Sequence, residues 1–385
     1  MESTNDFRSR LLKEDLFYRN AEKYAEKTKH KNNIIIWGCS SGGQLVFDFC
    51  KKYGFASNVK YYADNNKEKW RMKLNGLLVL SPEEVEKKVQ ENPDTYIIIA
   101  SQRLDEIKNQ LFSLGVEESA IDVEGFGLAW GYMPFKKGSP FELIYSHIDD
   151  YEKVYSILVD DHSRTAYLGI LNYKISLDNN YLRRIASPAE EQYFDREIVK
   201  LCDNEVICDC GSYNGDTLQK FVSLTKGKYK KYIAIEADQE IYKELIRNVN
   251  THGYKNVQAH NVACWNEKTV LKFKSAQSEG QIAETGELTV FADTLDNILE
   301  GEEGLSFIKM DIEGAEGMAL KGASLVIMRN KPILAICIYH RLEDFYKLPL
   351  MMKDFDRSYK LFIRHYNTLF PVETVCYAIP KERLV

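Results

Sequence analysis

Short apolar runs that stop at a glycine or an acid alternate with amphipathic stretches in two separate parts of the chain. In the first part, "NIIIWG" is an apolar run closed by Gly38, the pattern of a strand buried on both faces. "QLVFDFCKKYG" then carries apolar residues at helical spacing and stops at Gly54. "VKYYADNN" predicts a second strand ending at Asp64. "SPEEVEKKVQ" predicts a helix with Ser81 as N-cap and Pro82 at its first position. "TYIIIAS" predicts a third strand, and "RLDEIKNQLFSLG" a helix closed by Gly115. Strands alternating with helices imply a doubly wound parallel sheet over residues 31–126. Ahead of it, residues 1–30 form an N-terminal arm whose residues 6–30 read as one polar helix.

Residues 127–204 are aromatic-rich and mostly helical in spacing, and read as a helical connector packed against the second α/β unit. From residue 205 the alternation resumes, with strands at "EVICDC", "KYIAIEA", "NVQAHNVACW", "LSFIKMD" and "PILAICIYH" and helices between them. The chain closes with "YKLFIRHYN" and "ETVCYAIP", which the short turn "TLFP" should make antiparallel. The expectation is an α/β protein with two Rossmann-like units, residues 31–126 and 205–385, too different to be an internal repeat.

Composition narrows this picture. A chain of 385 residues with 44% hydrophobic positions can build two or three full-sized cores. A net charge of -6 gives no basic footprint for nucleic acid. The N-terminal segment is charged from its start and lacks the apolar centre of a signal peptide, and no window has the length of a membrane span. A cytoplasmic protein is expected. Eight cysteines occur with no CxxC pair; Cys208 and Cys210 share a strand without a histidine at zinc-ligand spacing, so reduced, buried thiols are expected.

The chemistry concentrates in the second unit. "VICDCGSYNGDTLQKF" is a strand, a glycine-bearing turn and a helix start. Such a corner presents backbone N–H groups and a helix N-terminus to a ligand. The spacing is not GxGxxG, and Asp209 directly before Gly211 would repel a pyrophosphate. It suits a ligand with a cationic centre, such as S-adenosylmethionine (SAM). The alternative is a plain turn in which Asp216 caps the next helix. Glu236 ends the next strand, where a carboxylate can accept ribose hydroxyls. Asn261 and Val262 follow the third strand, where an amide and an apolar face could meet an adenine.

"LSFIKMDIEGAEGMALKGA" is the sharpest segment. Lys309 and Asp311 alternate onto one face of an otherwise apolar strand, and Asp311 falls at the carboxyl end, where open α/β sheets bind ligands. Glu313 and Glu316 suit a helix N-terminus, which explains either of them but not Asp311. The next strand ends at Tyr339-His340 on the same edge, which makes His340 a candidate base.

Taken in order, "QYFD", "DCGSYNGDT", "IEAD", "NVAC", "TLDNIL", "IKMDIEGAEGMALKGA" and "ETVCYAIP" resemble the FkbM family of SAM-dependent methyltransferases, from about Tyr193 to Pro380. The resemblance implies a seven-stranded class I methyltransferase sheet with an antiparallel terminal pair, and O-methylation in a glycan or polyketide pathway. By position, Asp209, Gly211, Gly215, Asp216 and Thr217 would surround the methionine part of SAM. Glu236 would hold the ribose, and Tyr193 and Phe194 would close over the site. Asp311, Glu313 and His340 would face the acceptor. The adenine-side position, "HNVAC", lacks the acid many methyltransferases place there. The N-terminal unit, with "WGCSSGGQ", Asp64 and "NGLLVLSPEEV", is similar to nucleotide-sugar-binding domains of sugar acetyltransferases; ligand binding and mere scaffolding both remain open for its glycines Gly38, Gly42 and Gly43.

The resulting expectation is methyl transfer to a sugar hydroxyl of a glycan or nucleotide-sugar precursor in surface polysaccharide biosynthesis. His340 would act as base, with Asp311 orienting it or the substrate. A second version has Asp311, Glu313 and His340 hold Mg²⁺. A homodimer is compatible with the sequence. Rival readings are a nicotinamide-dependent sugar oxidoreductase and a non-catalytic nucleotide-sugar scaffold. The Tyr-x-x-x-Lys pairs that the oxidoreductase would need, Tyr132/Lys136 and Tyr377/Lys381, each enclose a proline.

Overall fold

The computed structural model describes residues 4–133, 138–274, 281–282, 286 and 288–384. The first sheet has the order β3-β4-β2-β1-β5-β6. Its strands are β1 (Ile34–Trp37), β2 (Val59–Ala63), β3 (Lys73–Leu74), β4 (Leu77–Leu80), β5 (Tyr96–Ile99) and β6 (Ile121–Asp122). Every residue of β1 and β5 is buried, because helices cover both faces of a parallel sheet. The helix Pro82–Glu91 starts as its residues dictate: Ser81 Oγ accepts from Glu84 N, and Glu84 Oε2 accepts from Ser81 N. The β3–β4 hairpin was not expected. It turns through Asn75 and Gly76, both at positive φ (54° and 80°), as a two-residue I′ turn requires.

The N-terminal arm is two helices, Thr4–Arg10 and Phe17–Thr28, rather than one. The break is held from outside. Asn172 accepts from Leu12 N at 2.9 Å and donates to the Arg10 carbonyl at 3.1 Å, while Phe7, Leu11 and Phe17 are buried. Asn172 lies on the helix Asp161–Ser176, whose N-cap Asp160 accepts from Ser163 N. That helix is apolar on most sides and fills the space between the arm and the second sheet.

The second sheet has seven strands in the order β16-β17-β15-β14-β7-β8-β9. Between β7 (Val206–Cys210), β8 (Lys231–Ile235) and β9 (Val257–His260) on one side, and β14 (Phe307–Met310) and β15 (Ile333–Cys337) on the other, pairing is parallel. β17 (Thr374–Ile379) runs antiparallel to both β15 and β16 (Lys360–His365), as the closing turn implied. The chain leaves β7 toward β8 and returns to β14 on the other side, so the switch point lies between β7 and β14. The run "NVQAHNVACW" divides: β9 ends at His260, and β10 (Ala263–Cys264) joins a small separate sheet with β11 (Thr269–Lys274), β12 (Gln281–Ile282) and β13 (Leu288–Asp293).

Arg364 on β16 is 1% exposed and pairs with Asp160 (2.7 Å) and Asp195 (3.3 Å), tying the helical segment to the sheet. The cysteines are unpaired, with six of the eight buried; Cys39 is half-buried, and Cys202 is exposed, against the expectation of burial. Among the described residues, no helix is long and apolar enough to cross a membrane.

Candidate active site

The site begins with the close passage of two strand ends. After β7, Gly211 has φ +79°, and a Cβ there would lie 1.9 Å from the Asp311 carbonyl oxygen. The turn continues through Tyr213 (φ 46°) to Gly215 (φ 93°), which caps the helix Asp216–Thr225. Asp216 is therefore the first helical residue, not the cap.

A cavity of about 970 Å³ opens at this switch point. Gly211, Asp216, Thr217, Glu236, Val262, Tyr193, Asp311, Glu313 and His340 all line it. Glu236, 8% exposed, takes Tyr213 N on Oε2 (3.0 Å) and Asp238 N on Oε1 (2.9 Å). Burial raises its pKa, and each carboxylate oxygen keeps a lone pair for a ligand.

Four expected residues do not line this cavity. Asp209 is fully buried inside the sheet, pairing with Lys309 Nζ at 3.0 Å and accepting from Tyr232 Oη at 2.5 Å. In-register pairing of Asp209 with Lys309 across β7 and β14 places it there. Phe194 packs between Phe221 and Phe307 in the core. Asn261 uses its amide on the Glu236 and Ala237 carbonyls, at 2.9 and 3.1 Å. Gly215 shapes the turn, where a Cβ would meet Leu245 at 3.1 Å.

Asp311 accepts from Tyr193 Oη on Oδ2 (2.8 Å) and Tyr339 Oη on Oδ1 (3.1 Å). Burial acts to raise its pKa, but the charges of His340 and Lys309 and the two tyrosine bonds outweigh it and hold the carboxyl below its usual range. His340 Nε2 lies 3.4 Å from both Asp311 Oδ1 and Glu313 Oε2. Its Nδ1 lies 3.0 Å from Glu316 Oε1, within ion-pair reach but without the angle of a formed hydrogen bond. Burial pushes the imidazole down, yet Glu316, Asp311 and Glu313 together bring it up to about 10. The three carboxylates thus favour the protonated form of His340, which weighs against the base role expected of it.

Sequence reasoning missed Glu373. It sits at φ 62° beside the cavity, where burial and the Asp311 charge raise it to about 7. Its signal was only the "VETVCY" entry into the last strand, which carries no local spacing pattern.

The N-terminal glycines are explained by packing. Cβ atoms would lie 2.4 Å from Ala100 O at Gly38, 2.9 Å from the same oxygen at Gly42, and 2.0 Å from Gly38 O at Gly43. Asp64 is occupied by Cys39 N, Asn66 N and Lys69. Ser41, Leu45 and Gln102 from this unit nonetheless reach the same cavity, as do Trp130 and Lys174. Of the dehydrogenase pairs, Tyr377 lies in β17 and Lys381 in a 3₁₀ turn, so they share no helix; Lys136 lies outside the described residues.

Residues 209–362 match the family model of the methyltransferase FkbM domain, and residues 30–121 that of the C2185-like N-terminal domain. Over residues 209–362 the chain is thus similar to the FkbM methyltransferase domain, a fold that uses SAM. The fold is similar to that of methyltransferase FkbM from Methylobacillus flagellatus KT, with TM-score 0.63 and 20% identity over 94% of this chain and 98% of that one. A putative methyltransferase from Streptococcus mutans, solved with SAH, matches at TM-score 0.30 and 12% identity over 53% of this chain and 96% of its own. No curated protein matches the chain.

Proposed function

We propose that the protein transfers a methyl group to a hydroxyl of a sugar-containing acceptor, a glycan or a nucleotide-sugar. The observation that carries this reading is one cavity lined by Gly211 and Glu236, by Asp311 and His340, and by Ser41, Leu45 and Gln102 of the N-terminal unit. SAM supplies a methyl group activated on a sulfonium. The donor set fits it: the Gly211 backbone allows close approach, Glu236 can accept two ribose hydroxyls, and Val262 offers an apolar face. The net acidic character of the cavity suits a cationic donor.

Toward the acceptor, Tyr193 and Tyr339 fix Asp311, which can accept a hydrogen bond from an acceptor hydroxyl. Glu373, poised at about 7, is the group we assign to take the hydroxyl proton, in place of His340. Trp130 gives the cavity an aromatic face for a sugar ring, and Lys174 a cation for a phosphate. With domain limits at 31–126, 127–204 and 205–385, the last unit would hold the donor and carry Asp311 and Glu373 toward the acceptor, and the first two would add Ser41, Leu45, Gln102, Trp130, Lys174 and Tyr193 around it.

The test is calorimetric titration with SAM on the wild type and on Glu236→Ala, followed by SAH release with a panel of nucleotide-sugars and oligosaccharides. SAM binding that is weakened at least tenfold in the variant, and SAH release with a sugar acceptor alone among acceptor classes, are the expected results. No binding at millimolar SAM overturns the reading.

A further inference from the structure

We propose that Asp311, Glu313 and His340 form a binding site for one divalent cation in the cavity. This deepens the methyl-transfer reading and rests on it for its chemistry, though not for its test.

One donor atom from each of the three residues lies within 4.8 Å of the other two. Asp311 follows β14 directly. Glu313 is held at φ 55° and followed by Gly314 at φ 90°, so the chain doubles back and returns its carboxylate toward Asp311. His340 comes from the adjacent strand end. Three side chains from two elements converge.

An acidic cluster alone would not make a site. The second observation is His340 itself. Its side chain is 8% exposed, it is aimed between Asp311 and Glu313, and neither ring nitrogen completes a hydrogen bond. A buried imidazole that has ion-pair contacts but no formed hydrogen bond on either nitrogen is well placed to gain from a ligand.

The surroundings also match how metal ligands are held. Glu316 is wholly buried, accepts from Ile312 N at 2.9 Å, and lies 3.0 Å from His340 Nδ1. A carboxylate on the distal nitrogen fixes the tautomer and leaves Nε2 for a metal. Asp311 is likewise oriented by Tyr193 and Tyr339. Asp311, Glu313 and Glu316 bring three carboxylates to one spot, and a divalent cation would offset two of their charges.

Two carboxylate oxygens and one imidazole nitrogen suit an oxygen-preferring ion that tolerates nitrogen, with Mn²⁺ favoured over Mg²⁺. No thiolate is in the set. An ion there has open positions for an acceptor hydroxyl, or for two vicinal hydroxyls of a sugar, whose pKa it lowers. The proton released goes to Glu373, so charge and atoms balance without any redox partner.

The test uses the full chain, stripped with chelator and dialysed, then titrated with MnCl₂. Free Mn²⁺ is followed by electron paramagnetic resonance, with SAM affinity measured in parallel by calorimetry. One Mn²⁺ per chain is expected. Glu313→Gln should weaken it by about tenfold or more, and Glu316→Gln by about tenfold, because the outer carboxylate orients the ligand. SAM affinity should change less than about twofold in Glu313→Gln, which also shows that this variant is folded. No Mn²⁺ uptake at millimolar concentration, or uptake equal in wild type and Glu313→Gln, overturns the proposal. Mn²⁺ binding without SAM binding supports the site and defeats the methyl-transfer reading; SAM binding without Mn²⁺ binding does the reverse.

Discussion

Gly211 and Asp311 touch through their backbones at the switch point. A Cβ on Gly211 would stand 1.9 Å from the Asp311 carbonyl oxygen. The two motifs thus share one contact, and the position of Asp311 depends on a residue in another motif. Gly211→Ala forces both a positive φ on a non-glycine and a backbone clash. We expect a loss of about 1–3 kcal/mol in urea unfolding together with loss of SAM binding. Unchanged SAM affinity would show that the loop adapts.

Asp209 and Glu236 are both acids at strand ends, and they should fail differently. Removing the Asp209 charge leaves Lys309 buried without its counter-ion, which costs about 3–5 kcal/mol. Asp209→Asn should lower the denaturation midpoint sharply. Glu236→Ala should weaken SAM binding about tenfold or more with a far smaller midpoint change. Equal midpoints for the two variants would refute the structural role given to Asp209.

Glu373 sets the pH dependence expected for turnover. Its folded pKa is raised to about 7, so the base form is present above that value and lost below it. The kcat/KM profile should rise with pH through about 7. Glu373→Gln should remove that limb and reduce the rate by about 10²–10⁴. An intact limb in the variant assigns the proton transfer elsewhere.

His365 predicts a pH dependence of stability remote from the site. It is fully buried on β16 beside Thr374, and burial depresses it to about 3 from an ordinary value of 6.5. The unfolded chain therefore binds a proton that the folded chain refuses, and stability falls as pH drops below about 6.5. Between about pH 7 and about pH 5 this group should remove about 2 kcal/mol. His365→Gln should show a correspondingly flatter midpoint-against-pH curve, whatever its absolute stability.

Much of this molecule was legible in its residues, for reasons that differ by level. Strand and helix alternation placed both parallel sheets, and the closing turn gave the antiparallel β17, because buried parallel strands are continuous apolar runs. The grouping of Asp311, Glu313 and His340 was readable because Asp311 interrupts such a run. What escaped depends on pairing across the sheet. Alternation put Lys309 and Asp311 on one face, but only register shows that Lys309 lies against Asp209 and takes that acid out of the cavity. The three carboxylates that surround His340 and favour its protonated form come together only in the fold. The Asn75-Gly76 hairpin was a plain turn signal passed over, whereas Glu373 had no local pattern to find.

The antiparallel strand β17 has a practical consequence for dissecting the protein. The methyltransferase match ends at residue 362, inside β16, yet Thr374–Ile379 lies between β15 and β16. A fragment ending there would lose an interior strand rather than a tail. It would leave the edge of β15 unpaired and open to other chains, and it would carry no Glu373. The end of the family-model match is therefore not a place where this chain can be cut.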